Sequence, residues 1–383
     1  MSRSVGILGG GQLARMLVLA GAPMGLRFVL LDQAPDACAA QLAPLVRARF
    51  DDGTALESFA GRVEVATFDF ENVPADSAAL LAGRVPVHPS PAALSVAQDR
   101  FSEKSLFREL GIPVAPFEAV DSREGLARAV DAVGLPCILK TRRLGYDGKG
   151  QFRLRQADDL DAAWAALGPQ AGSVGLILEA FVPFQREVSV LAVRSANGDF
   201  AHWPVTENWH DSGILAASMA PARIDAGLAA RAVGHARTLA ERLDYVGVFA
   251  LELFVRDGGL FANEMAPRVH NSGHWTIEGA ETSQFENHLR AVLGLALGST
   301  AARGHSVMLN WIGELPEADA VLAADGGHWH DYGKPPRPGR KVGHATFRHD
   351  DPEQLARVLA EAGRRLGRQA QVQGPLSRLG LPV

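Results

Sequence analysis

The sequence predicts a mixed α/β and α+β chain, with a doubly wound parallel sheet at its N-terminus and antiparallel units after it. Three observations carry this prediction. Short apolar strands alternate with helical patterns over residues 1–97. A glycine-rich turn, Gly9-Gly10-Gly11-Gln12-Leu13-Ala14, joins the first strand to the first helix. Beyond residue 113 the strands are bounded by turn residues and end in an apparent β-hairpin bearing two glutamates.

Taken in order, residues 4–8 read as a buried strand, 12–20 as a helix and 27–31 as a second strand. Residues 62–67 and 85–88 continue the sheet, and Pro86, Pro89 and Pro91 punctuate its end. A helix over 99–110 is closed by Gly111-Ile112-Pro113. A small α+β unit follows: helix 126–133, strand 137–141, a loop with Gly145, Gly148 and Gly150, strand 151–155, helix 157–167 and strand 175–179. Strands 186–194 and 199–205, helix 226–243, the hairpin 249–265 and helix 281–294 form a larger half. Strand 306–311, a basic turn over 333–340, strand 343–347 and helix 352–366 predict a small C-terminal α+β domain. The expected domains are therefore 1–97, 98–298 (a small part over about 113–182, a large part over about 183–298) and 299–383.

At 383 residues the chain exceeds one ordinary core, and its 47% apolar and 21% charged residues are usual for a globular protein. No apolar run is long enough to span a bilayer, so no membrane partner is expected. The first residues enter a strand without a cleavable apolar segment, and Cys38 and Cys137 are the only cysteines. A cytoplasmic location without a disulfide framework is the expectation. A formal charge of −5 argues against nonspecific nucleic-acid binding, while Arg142-Arg143 and 337–341 remain as local basic clusters that could hold phosphate.

The hairpin is the most informative feature. A loop centred on Gly258 pairs Glu252 with Glu264, because each lies six residues from it. Directly opposed Cβ atoms lie about 4.5–5.5 Å apart, and like charges there repel. The pair either faces solvent or holds a cation, for which hard oxygen donors suit Mg²⁺. The run that follows, Asn263 to Trp275, crowds Arg268, His270, Asn271, Ser272 and His274 beside it, more polar chemistry than a structural loop uses.

The glycine turn fits G-x-G-x-x-A, and Asp32 ends the next strand where an acid would meet a dinucleotide ribose. A dehydrogenase is therefore a competing reading, as is a tight turn with no ligand. Nothing downstream resembles a hydride-transfer site. Instead Lys140 ends a strand beside the Gly145–Gly150 loop, whose amides and Lys149 could cradle phosphates. The connector Glu179-Ala180-Phe181-Val182 could pair with an adenine edge, and Glu187 could accept from ribose hydroxyls.

These residues resemble the ATP-grasp superfamily and, within it, are similar to the N5-carboxyaminoimidazole ribonucleotide synthetase family. The resemblance spans nearly the whole chain. It is carried by 9–13, by Phe68-Asp69-Phe70-Glu71-Asn72, by 140–150, by 263–274, and by Tyr332-Gly333-Lys334 with 337–341. It implies an ATP-grasp fold preceded by a pre-ATP-grasp domain, and ATP- and bicarbonate-dependent carboxylation of 5-aminoimidazole ribonucleotide in purine biosynthesis. The products would be N5-carboxyaminoimidazole ribonucleotide, ADP and phosphate, formed through carboxyphosphate. ATP and Mg²⁺ are the implied cofactors and a homodimer the implied assembly.

By the same resemblance, Arg100, Lys140, Gly145, Tyr146, Asp147, Gly148, Lys149, Gly150, Gln151, Glu179, Ala180, Phe181, Val182, Glu187, His210, Asn263 and Glu264 would contact ATP. Glu252 and Glu264 would hold the metal. Arg268, His270 and Asp147 would be catalytic, while Gln12, Glu71, Tyr146, Asn271, Ser272, Lys334 and Arg340 would line the ribotide side. Many ATP-grasp enzymes carry Asn where this chain has Ala266; water or Asn271 would then complete the metal shell. Either Arg340 or Lys341 would meet the ribotide phosphate, and either Glu71 or Asp147 would orient the amine. Other ATP-grasp ligases, such as a formate-using transformylase or a biotin carboxylase, and a nonenzymatic nucleotide sensor, are the remaining alternatives.

Overall fold

The computed structural model describes residues 3–145 and 150–380. Its N-terminal sheet is parallel throughout, in the order Leu45–Arg47, Arg27–Asp32, Ser4–Leu8, Val65–Phe68. Both faces are covered, as buried parallel strands require. Leu56, Phe59 and Leu81 pack on one face, and the helix Gln12–Gly21 sets Leu13, Met16 and Leu17 against Phe285 and Leu289 on the other. The expected strand at 85–88 is only a bridge, Ala66 to Val87. Pro86 has no N–H to donate, so pairing there stops at His88 N to Ala66 O.

The second unit is a four-stranded antiparallel sheet ordered Phe117–Val120, Leu176–Ala180, Cys137–Thr141, Gln151–Leu154. The helix Arg123–Val133 begins where the Ser122 side chain accepts from Gly125 N, and it buries Leu126, Ala129 and Val130.

A nine-stranded antiparallel sheet dominates the rest. Its order is Gly259–Ala266, Gly247–Arg256, Arg186–Arg194, Thr206–Asp211, Ile214–Ala220, His305–Ile312, Lys341–His349, Gly327–Asp331, with Phe200–His202 paired to Arg186–Arg194 off this path. The C-terminal strands thus extend this sheet instead of making one of their own, through the pairing of Ile214–Ala220 with His305–Ile312. One face is apolar: Val188, Val190, Leu251 and Leu253 pack beneath the helix Ala226–Arg242. The opposite face is unusual. In cross-strand register it carries Glu264, Glu252 and Ser189, then Asn208 and Ser218, then Asn310, His344 and His330. A row of polar residues on a buried sheet face needs partners, and the loop after the hairpin supplies them.

The N-terminal sheet is tied to this assembly through His288. Val248 N donates to His288 Nδ1 at 3.0 Å, so the ring proton sits on Nε2, which lies 2.7 Å from Thr67 Oγ1. Burial pushes His288 down to about 3, keeping it neutral. Among the described residues, no helix is long and apolar enough to cross a membrane.

Candidate active site

The hairpin pairs Glu252 with Glu264 as expected, but by a different route. Its turn is two residues, Asp257 and Gly258, with φ of 50° and 73°, the positive values that primed hairpin turns require. Such a turn alone would pair 252 with 263. A bulge between Leu253 and Glu252 inserts Asn263 and brings Glu264 into place. The Asn263 carbonyl accepts from Lys104 Nζ at 3.0 Å, so the extra residue is held from behind.

Each carboxylate meets a nitrogen donor. Arg100 Nη1 donates to Glu264 Oε2 at 2.9 Å, and its Nη2 donates to the Gly145 carbonyl at 3.2 Å. His270 Nε2 lies 3.1 Å from Glu252 Oε1. Burial works to raise the Glu252 pKa, yet His270, His210 and Lys341 hold it well below the usual carboxylate range. Glu252 is largely enclosed, while the Glu264 side chain remains partly open to the cleft. Among the described residues no group of three or more His, Cys, Asp or Glu is arranged to hold a metal ion. Two ionisable carboxylates on adjacent strands still fit Mg²⁺, which binds through one or two carboxylates, waters and substrate phosphates.

The helix Arg100–Glu109, capped by Asp99, presents Arg100, Glu103 and Lys104 on one face. Lys104 and Lys140 share Glu179 Oε2, at 3.3 and 3.0 Å. Burial alone would raise Glu179, but these ammonium groups and Arg100 bring it down to about 2. Glu179 Oε1 is buried with no protein partner. Burial also lowers Lys140. Glu103 Oε1 accepts from Met265 N at 2.6 Å, and burial with the nearby Glu264 charge pushes it up to about 8. Sequence reasoning missed Glu103 and Lys104. Their signal was available: three charges spaced i, i+3, i+4 on an otherwise core-facing helix.

In the connector, Ala180 N and Phe181 N donate to the carbonyls of Pro116 and Pro136. Those two amides are thus committed within the protein, which leaves the connector's carbonyls and Val182 as the candidates for an adenine edge. Gln151 pairs with Lys140 in the ladder, and Gly150, with φ of 68°, sends its carbonyl to Thr141 N. Glu187 Oε2 lies 2.8 Å from His210 Nδ1. Burial opposes the charged ring, but Glu187 and then Glu252 raise the His210 pKa. Tyr146, Asp147, Gly148 and Lys149 lie outside the described residues.

The loop after the hairpin keys into the polar sheet face one residue at a time. Asn271 exchanges two hydrogen bonds with Asn310, at 3.0 and 2.7 Å. Ser272 reaches Ser189 at 2.8 Å, Trp275 Nε1 donates to Thr206 Oγ1, and His274 packs on His344 with ring centroids 4.9 Å apart. Asn271 and Ser272 are buried, and these contacts anchor the loop. Arg268 faces the N-terminal domain, where Nε and Nη2 make a bidentate pair with Glu71 at 2.5 and 3.1 Å. Despite burial, Arg268 holds Glu71 below its ordinary range.

The glycine turn carries a correction. Gly10 N donates to Asp32 Oδ2 and Gly11 N to Asp69 Oδ2, each at 2.7 Å, and Ala14 N also reaches Asp69. Asp32 and Asp69 occupy the donors that a dinucleotide pyrophosphate would need, so the dehydrogenase reading fails. Gln12 instead hydrogen-bonds Lys334 from the C-terminal turn. Burial lowers the Lys334 pKa, and both Arg340 and Lys341 lower it further. Lys341 also acts on Glu252 and His210, which puts its charge toward the carboxylate pair as well.

Three family models match the chain: a ribonucleotide synthetase pre-ATP-grasp domain over residues 1–98, an ATP-grasp domain over 105–285, and a phosphoribosylaminoimidazole carboxylase C-terminal domain over 306–358. Fold and site together are those of an ATP-grasp ligase. The chain is 54% identical over 357 residues to an N5-carboxyaminoimidazole ribonucleotide synthase of Pseudomonas aeruginosa, covering 93% of this chain and 98% of the relative. It is similar to the crystal structure of the Thermus thermophilus synthetase, with TM-score 0.90 and 54% identity over 94% of this chain and 98% of that one. An Aspergillus clavatus synthase, solved with ADP and 5-aminoimidazole ribonucleotide, superposes with TM-score 0.85 at 31% identity, over 95% of this chain and 99% of that one. The chain belongs to the N5-carboxyaminoimidazole ribonucleotide synthetase family.

Proposed function

We propose that the cleft between the hairpin, the helix Arg100–Glu109 and the loop after the hairpin carboxylates 5-aminoimidazole ribonucleotide, using ATP to activate bicarbonate. The observation that carries this reading is the facing pair Glu252 and Glu264, the first in contact with His270 and the second paired with Arg100, beside the Lys140–Glu179–Lys104 cluster. Mg²⁺ on the two carboxylates would offset phosphate charge.

Bicarbonate is a poor electrophile and an aromatic amine a weak nucleophile. A bicarbonate oxygen attacks the γ-phosphorus, the bond to the β-bridging oxygen breaks, and ADP leaves with that electron pair. The C–O bond of carboxyphosphate then breaks to give CO₂ and phosphate. The 5-amino nitrogen attacks the carbon and loses one proton. Phosphoryl transfer of this kind depends on positioning and charge neutralisation. Arg100 and Lys140 would steady the triphosphate, Val182 and Glu187 the nucleoside, and Arg268 the anionic carbon acid. Glu71, paired with Arg268, or Asp147 would orient the amine. Lys334 and Arg340, beside Gln12, would hold the ribotide phosphate. We also infer a cytoplasmic homodimer; the buried free thiols of Cys38 and Cys137 suit a reducing compartment, and the dimer rests on family resemblance.

A coupled ADP assay tests the reading. ADP release should require the ribotide and bicarbonate together. Full-rate release without the ribotide would contradict it.

A further inference from the structure

Lys334 stands on a turn, and each of the two residues before it is gripped by a different part of the molecule. Gly333 has φ of 68°, and a Cβ there would stand 2.9 Å from Gln41 Nε2. Gln41 is itself held by Arg15, whose Nη1 donates to Gln41 Oε1 at 3.0 Å. The turn is thus seated on the N-terminal domain, and a larger residue would have to displace Gln41. Tyr332 is gripped by the large sheet. It is buried, its backbone N donates to the Val342 carbonyl at 3.0 Å, and its hydroxyl lies 2.8 Å from His344 Nδ1.

The surroundings of His344 fix that contact. The strand pairing sets His344 between His330 and Asn310. The His330 and His344 rings are stacked, with centroids 4.2 Å apart and planes 5° from parallel, and the His274 ring centroid is 4.9 Å from that of His344. His330 Nε2 in turn lies 2.6 Å from Glu278 Oε1. Burial pushes His274 and His344 well below the ordinary imidazole range, so both are neutral. Burial pushes Tyr332 up, and it keeps its proton. One hydrogen bond between two neutral groups therefore joins the turn to the sheet. Stability does not explain it. His274 Nε2, His344 Nε2 and Glu278 Oε2 are buried with no protein partner among the described residues, a cost that apolar groups of the same shape would avoid. What the polar pair adds is direction. A hydrogen bond has a preferred angle as well as a length, so it sets the Tyr332 ring, and with it the chain two residues before Lys334.

We propose that Tyr332 and His344 are positioning residues for the ribotide: their hydrogen bond holds the Gly333–Lys334 turn so that the Lys334 ammonium stands beside Gln12. This rests on the functional reading above, in which Lys334 meets the ribotide phosphate. Tyr332 and His344 are both buried and act only through the turn. The groups assigned to the nucleotide, Lys140, Glu179 and Glu187, lie on other strands, so the contact serves one substrate and not the other.

Tyr332→Phe deletes the hydroxyl and leaves the ring, so the core keeps its packing. KM for the ribotide should rise about five- to tenfold, the scale of one hydrogen bond, with kcat within about twofold of the wild type. KM for ATP should not move. An unchanged ribotide KM, or a parallel rise in both KM values, would overturn the proposal. His344 offers a rescue: the amide of Asn stands near the place of Nδ1, so His344→Asn should keep the ribotide KM below that of His344→Leu. Equal values would remove the hydrogen bond from the account. Hydrogen exchange followed by mass spectrometry is independent of turnover. Amides over 333–341 should exchange faster in Tyr332→Phe, while those over 263–275 keep their rates. Unchanged exchange over 333–341 would refute the positioning role whatever the activity. If the wild type shows no ribotide-dependent turnover while the exchange difference holds, the functional reading fails and the positioning contact stands.

Discussion

Two buried glutamates near the carboxylate pair behave oppositely, and the difference lies in their neighbours. Glu179 has two ammonium groups within 3.3 Å and stays ionised. Glu103, buried and close to the charge of Glu264, keeps its proton up to about 8. The unfolded side chain releases that proton near 4.5. Between these values only the unfolded chain has lost it, so stability falls as pH rises, by up to about 1.4 kcal/mol per pH unit. Glu103→Gln keeps an acceptor for Met265 N and should flatten the decline of Tm from about pH 5 to about pH 8. An unchanged slope would mean that Glu103 is ionised when folded. Glu264→Gln keeps an acceptor for Arg100 but removes the charge. Its kcat should drop at least about 100-fold, with the circular dichroism spectrum unaltered; retained activity would count against a metal ligand there.

Glycines show how an element's tolerance depends on what surrounds it. A Cβ on Gly258 would meet nothing within 4 Å, so only its φ of 73° opposes substitution. Gly258→Ala should cost about 1 kcal/mol in urea unfolding. At Gly9 the φ is 110° and a Cβ would sit 1.6 Å from Asp69 Oδ1. Gly9→Ala must expel the carboxylate that caps the helix Gln12–Gly21, and about 3 kcal/mol or more is expected. Equal losses at the two sites would contradict the assigned role of Asp69. Both turns were legible in the sequence, because glycine-rich spacing reports backbone demands. The partner of the first was not: Asp69 is fifty-eight residues from Gly11 in the chain, and sequence spacing pointed to a dinucleotide instead. The hairpin pairing was legible for a similar local reason, although the bulge at Asn263 that achieves it was invisible. Its cause, the Lys104 ammonium on the Asn263 carbonyl, comes from a helix far away in sequence.

At the scale of the molecule, three layers converge on one cleft because a single nine-stranded sheet runs from the carboxylate hairpin to the C-terminal basic turn. The elements of that sheet were mostly readable from period-two patterns. Its continuity across the expected boundary near residue 299 was not, since strand order depends on long-range pairing. The polar sheet face was hidden for the same reason: Ser189, Asn208 and Asn310 look unremarkable singly and become a surface only in register. That surface orders the loop carrying Arg268 and His270, and with it the chemistry proposed for the site. Bicarbonate labelled with oxygen-18 reports on that chemistry directly. If ATP activates bicarbonate, the oxygen that attacked phosphorus stays with it, and one labelled oxygen should appear in the inorganic phosphate for each carboxylated ribotide. Phosphate that carries no label while the ribotide is carboxylated would contradict the account.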